Sequence, residues 1–307
     1  MITVNHLEPS FSVFPNGEFN VALSKTVIKT LEDGVADINW HFNGNDELLK
    51  LGILVSALEP HVYKINVNGG YLPYSRMDRY EKGKYNPFSL RTFINMLPIP
   101  TDANVSITYS YSDVHNVPVA EELFVMRAHD NVNFSFLISG VNIIYYAKAY
   151  LDKFEKALVV LPDKGSLTRY SQFINDGKMS IKGVIDAEVE VAMGYKKRDF
   201  DTHEITDFGI TKLTDNSPID REYVESFDKI IIIDDVVSYG NTFINLIDYL
   251  GNLGANTIDL FSGNVEDALW RGDLLGNKYL GKVYTTNYLT NHNQDDKVII
   301  INNFNSK

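Results

Sequence analysis

The 307-residue sequence contains no cysteine and only two tryptophans. Without cysteine the chain cannot form a disulfide framework, a thiolate nucleophile or a cysteine-based zinc site. It also lacks any run of about 18 apolar residues, the length that crosses a membrane as a helix. Residues 1–5 show neither the basic start nor the apolar stretch of a signal peptide. We therefore expect a cytoplasmic protein without a membrane span.

Basic residues are also scarce: 28 Lys and Arg stand against 40 Asp and Glu, a formal net charge of −12. General binding to a nucleic-acid backbone needs a basic face, so nucleic acid is not an expected partner. A nucleotide substrate remains compatible, because Mg²⁺ can bridge protein carboxylates to phosphates. The 44% hydrophobic and 22% charged composition is typical of a globular protein long enough for two domains.

Helical and strand periodicities alternate along two sections of the chain, which predicts an α/β fold of two doubly wound domains with parallel sheets. We place the domains at 1–135 and 136–307, leaving open whether the last strand belongs to the first domain. Four consecutive isoleucines at 230–233 predict a strand buried on both faces. The predicted helices cover 46–58, 87–96, 141–154, 168–175 and 243–250, and the predicted strands cover 62–67, 105–109, 157–161, 184–193, 230–233, 258–261 and 283–286.

Two acids and a glycine-containing turn follow the isoleucine strand, in the sequence IIIIDDVVSYGNT at 230–242. The turn opens a helix, where backbone N–H groups and hydroxyls favour a phosphate. The two aspartates could hold the vicinal hydroxyls of a ribose. The turn alone could equally be an ordinary Ser/Asn-capped helix start. The predicted ribose and phosphate ligands are Asp234, Asp235, Ser238, Tyr239, Gly240, Asn241 and Thr242. The whole pattern resembles the signature of type I phosphoribosyltransferases and of ribose-phosphate diphosphokinases, which share this fold.

The first half favours the diphosphokinases. Residues 14–18 (FPNGE) resemble their Phe-x-Asn/Asp-Gly-Glu element, 73–79 (PYSRMDR) their Pro-Tyr-x-Arg-Gln-Asp-Arg element, and 113–115 (DVH) their Asp-Leu-His element. The resemblance implies that His115 lies by the ATP phosphates and their magnesium, as a catalytic and metal-binding residue. It implies that the following residues form the ATP site, the first three usually reaching from a neighbouring subunit: Phe14, Asn16, Glu18, Arg76, Met77 and Arg79.

Two further motifs lie in the second half. Residues 163–166 (DKGS) resemble the Asp-x-Gly-Gly loop, whose aspartate holds a magnesium on the sugar side. Lys196 and Arg198 match the Lys-x-Arg pair of a mobile catalytic loop. The resemblance therefore implies Asp163 as a metal ligand, and Lys196 and Arg198 as catalytic residues that neutralise the charge on the transferred group.

The family activity, as the resemblance implies it, is the magnesium-dependent transfer of the β,γ-diphosphate of ATP to the 1-hydroxyl of ribose 5-phosphate. We would expect a homo-oligomer, a dimer or larger. Tyr239 replaces a small threonine of the family, so an acceptor with a larger 5-substituent, such as ADP-ribose, is an alternative that would serve NAD rebuilding. Two different classes of protein also stay open, a phosphoribosyltransferase and a catalytically silent partner subunit.

Three departures from the family pattern remain. Met77 replaces a glutamine, and YEKGKY at 80–85 replaces a basic segment, which puts the family's allosteric regulation in doubt. The stretch before Phe14 is short, and we expect the usual opening strand and helix to be missing. Together with abundant Asn, Tyr, Ile and Lys, this would suit a compact bacteriophage version of the enzyme.

Overall fold

The structure is a computed structural model that describes residues 2–40, 42, 44–75, 77, 87–97, 104–111, 132–181, 184–198, 205–288 and 295–301. For 70–71, 104–111, 132–142, 181, 184–188, 197–198, 205–207 and 287–288 it describes the backbone alone. The chain divides into two compact units: the first spans Met1–Ile138 and the second begins at Ser139. No helix among the described residues is long and apolar enough to cross a membrane.

Unit 1 is built on a five-stranded sheet in the order β1-β4-β5-β6-β7, with β1 antiparallel to β4 and the other neighbours parallel. A separate hairpin joins β2 to β3. The strands are β1 Ile2–Val4, β2 Ser10–Val13, β3 Phe19–Ala22, β4 Val35–Trp40, β5 Lys64–Tyr71, β6 Asn104–Tyr111 and β7 Val132–Ile138. The helices are α1 Lys25–Lys29, α2 Asp46–Leu58 and α3 Ser89–Met96.

Helix α2 forms because its apolar residues recur at helical spacing. Leu51, Leu54, Val55 and Leu58 are buried in the core of unit 1, together with Trp40 at the end of β4. Burying each such aliphatic side chain is worth roughly 1.5–3 kcal/mol. The apolar stripe therefore anchors α2 on the sheet.

Unit 2 is built on a nine-stranded sheet in the order β16-β15-β14-β13-β8-β11-β10-β9, with β12 pairing alongside β11. Its strands are β8 Ala157–Leu161, β9 Ile174–Asn175, β10 Lys178–Ile181, β11 Val184–Arg198, β12 Ile205–Lys212, β13 Lys229–Val237, β14 Ile258–Val265, β15 Leu280–Tyr288 and β16 Val298–Ile300. Its helices are α4 Ser139–Leu151, α5 Lys164–Tyr170, α6 Arg221–Glu225 and α7 Asn241–Asn252. The described 3₁₀ turns of the chain are Glu59–His61, Ser171–Phe173, Asp267–Arg271 and Leu274–Gly276.

Strand β13 lies at the centre of the parallel part of this sheet, between β8 and β14. Ile230 and Ile232 pack on one face with residues of α7, and Ile231 and Ile233 pack on the other face with residues of α4. All four are buried, which confirms the predicted strand with two covered faces. The predicted α/β fold with parallel sheets is likewise confirmed.

Three predicted details were wrong. The helix expected at 168–175 lies at Lys164–Tyr170, because the Asp163 side chain caps it and starts it earlier. The strand expected to end at 193 continues to Arg198 as half of an antiparallel ribbon with β12. The opening strand that was expected to be missing before Phe14 is present at Ile2–Val4. It pairs with β4 at the edge of the sheet.

Candidate active site

The carboxyl ends of β8 and β13 lie side by side, because the parallel register pairs Ile232 with Val160. Asp163 comes two residues after β8 ends, and Asp234 and Asp235 come directly after the isoleucines of β13. Ligands of doubly wound folds bind at this edge of the sheet. The register therefore brings together two sequence motifs that are about seventy residues apart.

The acidic pair is nearly buried: the side chains of Asp234 and Asp235 are 16% and 17% exposed. Arg169 of α5 lies against both carboxylates, with its Nη1 3.0 Å from Asp234 Oδ1 and 3.2 Å from Asp235 Oδ1. The hydroxyl of the buried Ser166 donates to the same Asp234 Oδ1 at 2.9 Å. The pair is thus held by two side chains of one short helix.

Burial and, to a smaller extent, the neighbouring Asp235 raise the pKa of the Asp234 carboxyl to about 8, against the opposing effect of Arg169. Two adjacent carboxylates at a nearly dry edge repel each other and lose hydration when ionised. The site therefore holds its acidic pair at an electrostatic cost that Arg169 only partly offsets.

Asp163 serves as the N-cap of α5. Its Oδ1 accepts a hydrogen bond from the Ser166 N–H at 3.0 Å, and Ser166 Oγ lies 3.4 Å away. Gly165 permits this tight start, since a Cβ at that position would lie 3.1 Å from Asp163 Oδ1. One serine thus contacts both the strand-end aspartate and the acidic pair.

The turn after β13 enters α7 through Gly240, which has a left-handed backbone with φ of +89°. Leu274 packs against it so closely that a Cβ there would lie 2.6 Å from the Leu274 Cβ. Gly240 is the N-cap of α7 and has no side chain that could bind the first turn of the helix. Backbone N–H groups at the start of a helix have no partner within the helix, so this turn can receive an anion. Ser238 and Thr242 are half-buried beside it, and Asn241 is exposed.

Tyr239 points outward from the same turn, with 49% of its surface exposed. The guanidinium of Arg271 lies over its ring, 5.7 Å from the ring centre. Gly272 packs closely against the backbone of this turn. A Cβ at position 272 would lie only 2.2 Å from the Tyr239 carbonyl oxygen. The turn before α7 therefore carries an exposed aromatic side chain with a cation beside its ring.

Lys196 lies on the antiparallel ribbon of β11 and β12, opposite Phe208, with an exposed side chain. At Gly194 the ribbon packs closely against the residue that follows β8. A Cβ at position 194 would lie only 2.6 Å from the Pro162 carbonyl oxygen. Arg198 is the last residue of β11, and its side chain lies outside the described residues.

In unit 1, Phe14 stands at the tip of the β2–β3 hairpin and is 50% exposed. The turn is closed by two backbone bonds between Phe14 and its neighbours Gly17 and Glu18. The Asn16 side chain accepts from the Glu18 N–H at 3.3 Å. Three of the predicted ATP ligands thus share one hydrogen-bonded hairpin turn.

Met77 is 48% exposed, and its carbonyl accepts a hydrogen bond from the Leu90 N–H of α3. Three residues earlier, Tyr74 adopts a left-handed backbone with φ of +61°. Such a conformation is uncommon for a bulky residue and is typical of functional sites. The predicted ATP ligands Arg76 and Arg79 and the predicted catalytic His115 lie outside the described residues.

The sequence interpretation overlooked Arg169 and gave no role to Ser166 beyond its motif. Both follow Asp163, at spacings of three and six residues, which one helix brings to the same strand edge. That helical spacing was the available signal, and it was obscured because the helix was placed too late. Among the described residues, no group of three or more His, Asp or Glu side chains is arranged to hold a metal ion.

The fold is that of an α/β protein with parallel sheets and a cluster of polar groups at the carboxyl ends of adjacent strands. Over 259 residues the chain is 25% identical to the ribose-phosphate pyrophosphokinase of Pyrococcus abyssi, covering 83% of this chain and 75% of that one. Over 247 residues it is 26% identical to the corresponding Pyrococcus furiosus protein, covering 80% and 73%. Over 254 residues it is 22% identical to that of Mycoplasmopsis pulmonis, covering 82% and 68%.

A crystal structure of phosphoribosylpyrophosphate synthetase from Mycobacterium smegmatis shares the fold, with a TM-score of 0.60 and 18% identity over 96% of this chain and 85% of that one. No protein-family profile matches the chain. The resemblance carried by the sequence motifs is nevertheless confirmed, because the chain is similar in sequence to three proteins named ribose-phosphate pyrophosphokinase.

Proposed function

We propose that the chain is an ATP-dependent diphosphokinase that transfers the β,γ-diphosphate of ATP to the 1-hydroxyl of ribose 5-phosphate, giving phosphoribosyl diphosphate and AMP. The observation that carries this proposal is the nearly buried pair Asp234 and Asp235, which lies two residues before a turn that can receive an anion. Vicinal hydroxyls and a 5-phosphate of one pentose match these two features at once. The names of the three curated relatives support the same activity.

The proposed transfer is an in-line attack of the sugar hydroxyl on the β-phosphorus, with AMP leaving. Such reactions depend on positioning and on charge stabilisation. Asp234 and Asp235 orient the sugar, and the turn from Ser238 to Thr242 holds its 5-phosphate. Lys196 and Arg198 stabilise the charge on the transferred group. His115, Arg76, Met77 and Arg79, with the Phe14 hairpin, form the ATP side.

A magnesium ion fits the donor chemistry of Asp163. Magnesium in nucleotide sites is held by one or two carboxylates together with waters and substrate phosphates, so a full protein cage is not needed. Asp163 offers a half-buried carboxylate whose Oδ1 is already fixed by the Ser166 N–H. When bound, the ion would neutralise phosphate charge near that carboxylate.

The test is an AMP-release assay with ATP, magnesium and ribose 5-phosphate. Release of AMP that depends on the sugar supports the proposal. An absence of AMP, combined with diphosphate release from phosphoribosyl diphosphate and a base, would instead identify a phosphoribosyltransferase. Activity that appears only after mixing with an active relative would identify a silent partner subunit.

A second acceptor is favoured by one observation, the exposed Tyr239 ring with Arg271 over it. A ring and a cation at the mouth of the phosphate turn suit a 5-substituent larger than phosphate, such as the adenosine diphosphate of ADP-ribose. We propose Tyr239→Thr as the discriminating variant. If ADP-ribose is the acceptor, wild-type protein releases AMP with ADP-ribose and the variant loses that preference. Equal behaviour of both proteins on both sugars excludes this role.

A further inference from the structure

The start of α5 contains a contact network for which the proposed reaction has no role so far. Ser166 stands where the related Asp-x-Gly-Gly loop has its second glycine, so its hydroxyl is a departure from that pattern. That hydroxyl donates to Asp234 Oδ1 at 2.9 Å. Arg169, one turn further on, donates to the same oxygen at 3.0 Å and lies 3.2 Å from Asp235 Oδ1.

The charges explain why such a network is needed. Two adjacent carboxylates with less than a fifth of their surface exposed repel each other and have lost much of their hydration. Arginine suits this place because its guanidinium stays charged and can serve two acceptors at once.

The directions of these bonds also define the geometry. Both donors come from α5 and converge on one oxygen of Asp234, so the carboxylate cannot rotate freely about its bond to Cβ. Arg169 is itself largely buried, at 16% exposed, which restricts its own rotation. The orientation of the acidic pair is therefore set by α5 rather than by β13 alone.

We propose that Arg169 and Ser166 are positioning residues that fix the Asp234–Asp235 pair to receive the vicinal hydroxyls of the sugar acceptor. This inference rests on the proposed function. It predicts a selective effect: losing either residue weakens use of the sugar and leaves use of ATP unchanged. A residue that only supported the fold would affect both substrates alike.

The experiment measures KM and kcat for the sugar at saturating ATP, and for ATP at saturating sugar, in Arg169→Met, Arg169→Lys, Ser166→Ala and Ser166→Gly. Removing a charge-assisted buried contact should lower kcat/KM for the sugar by about 30- to 150-fold in Arg169→Met. Arg169→Lys should recover part of this loss. Each Ser166 variant should lose about 3- to 10-fold, since a neutral hydrogen bond is removed. The KM for ATP should stay within about twofold, because positioning acts on the sugar side.

Two control variants match these changes. Arg221→Met removes another ion-paired arginine, which binds Glu225 on the surface of unit 2. Ser217→Ala removes another serine hydroxyl that donates to an aspartate, Asp215. Both should retain wild-type kinetics for both substrates.

An unchanged sugar KM in Arg169→Met, or a parallel rise in the KM for ATP, would overturn the inference. If Arg169→Met does not fold, Arg169→Lys and Ser166→Ala decide the question by the same criterion. If the wild-type protein releases no AMP, the proposed function fails, and calorimetry with ribose 5-phosphate then tests the positioning role by itself. Binding by wild type and its loss in Arg169→Lys or Ser166→Ala would support the role. Equal binding by these proteins, or none by wild type, would refute it.

Discussion

The central strands of the two parallel sheets end in different ways. Strand β13 of unit 2 carries two carboxylates near its carboxyl end, where Asp234 and Asp235 lie against Arg169. Strand β5 of unit 1 leads to Tyr74, whose ring packs on Phe93 with ring centres 5.5 Å apart. One strand end is thus organised by charge and the other by aromatic packing.

The comparison teaches that equivalent places in two similar sheets can be stabilised by unlike forces. The ring of Tyr74 also contacts Phe42 at 6.0 Å, and its hydroxyl donates to Asn45 just before α2. Aromatic contacts of this kind respond to lost volume, whereas buried carboxylates respond to pH. Substitutions at the two ends should therefore fail in different ways.

The largest expected effect is on turnover, and it concerns Lys196 on strand β11 of unit 2. If Lys196 has its proposed role of stabilising charge on the transferred group, Lys196→Ala should lower kcat by about 10³-fold or more. The melting temperature should stay unchanged, since the Lys196 side chain is exposed on the ribbon. Steady-state kinetics and thermal unfolding measure both quantities. Lys64→Ala, another exposed strand lysine, is the control, and near-normal turnover of Lys196→Ala would remove Lys196 from the mechanism.

The next expected effect tests whether Phe14 of one copy of the chain contributes to the ATP site of a neighbouring copy. If the Phe14 hairpin reaches a neighbouring ATP site, Phe14→Ala and Lys196→Ala are each defective alone but complement each other. A mixed oligomer then contains one site with both residues intact. Mixing the purified variants and assaying AMP release should restore activity. Failure to restore it after subunit exchange, or full activity of an isolated monomer, would refute a shared site.

A smaller effect is expected at the aromatic strand end. Tyr74→Ala should destabilise unit 1 by about 2–4 kcal/mol, because the ring contacts with Phe42 and Phe93 are lost. Tyr74→Phe keeps the ring and should cost about 1 kcal/mol or less. Denaturant unfolding of both variants measures the difference, which should not depend on pH. Equal stability of the two variants would show that the ring contributes little.

The smallest effect is expected at the charged strand end, with the opposite sign. The pKa of Asp234 is raised in the folded protein, so its contribution to stability is greatest below pH 4 and is lost as pH rises through about 8. Asp234→Asn cannot ionise and should gain about 1–2 kcal/mol over wild type at pH 8–9, with no gain near pH 4; the gain is smaller than the raised pKa alone implies, because a neutral amide binds Arg169 more weakly. Thermal unfolding across that range measures it. A stability difference that stays constant with pH would contradict the raised pKa.

The sequence predicted the strands best where the strand is a short run of buried apolar residues. The run at 230–233 and the strand at Ala157–Leu161 were both found, because apolar β-branched runs have few other solutions. Helix α2 was also found, since its apolar spacing is regular. The acidic pair and the turn at Gly240 followed from their order after the strand.

What the sequence did not predict depends on local backbone details or on pairing between distant segments. The predicted start of helix α5 was too late for two reasons. Gly165 near the true start weakens the helical pattern, and Asp163 was interpreted as a metal ligand rather than as an N-cap. The extension of β11 to Arg198 depends on its pairing with β12, and polar residues such as Lys196 do not predict a strand. Without α5 in place, no pattern joined Arg169 to the acidic pair sixty-five residues away.

The packing of Gly240 and Gly272 against their neighbours limits how this turn can evolve. Any side chain at Gly240 would collide with Leu274, and any at Gly272 would collide with the Tyr239 carbonyl. A substitution of Gly240 or Gly272 alone should therefore destabilise the turn, and it would need a compensating change in the residue that it meets. Laboratory selection for a new acceptor should diversify 239–240 and 271–274 in one library, because beneficial mutations in either segment are conditional on the other.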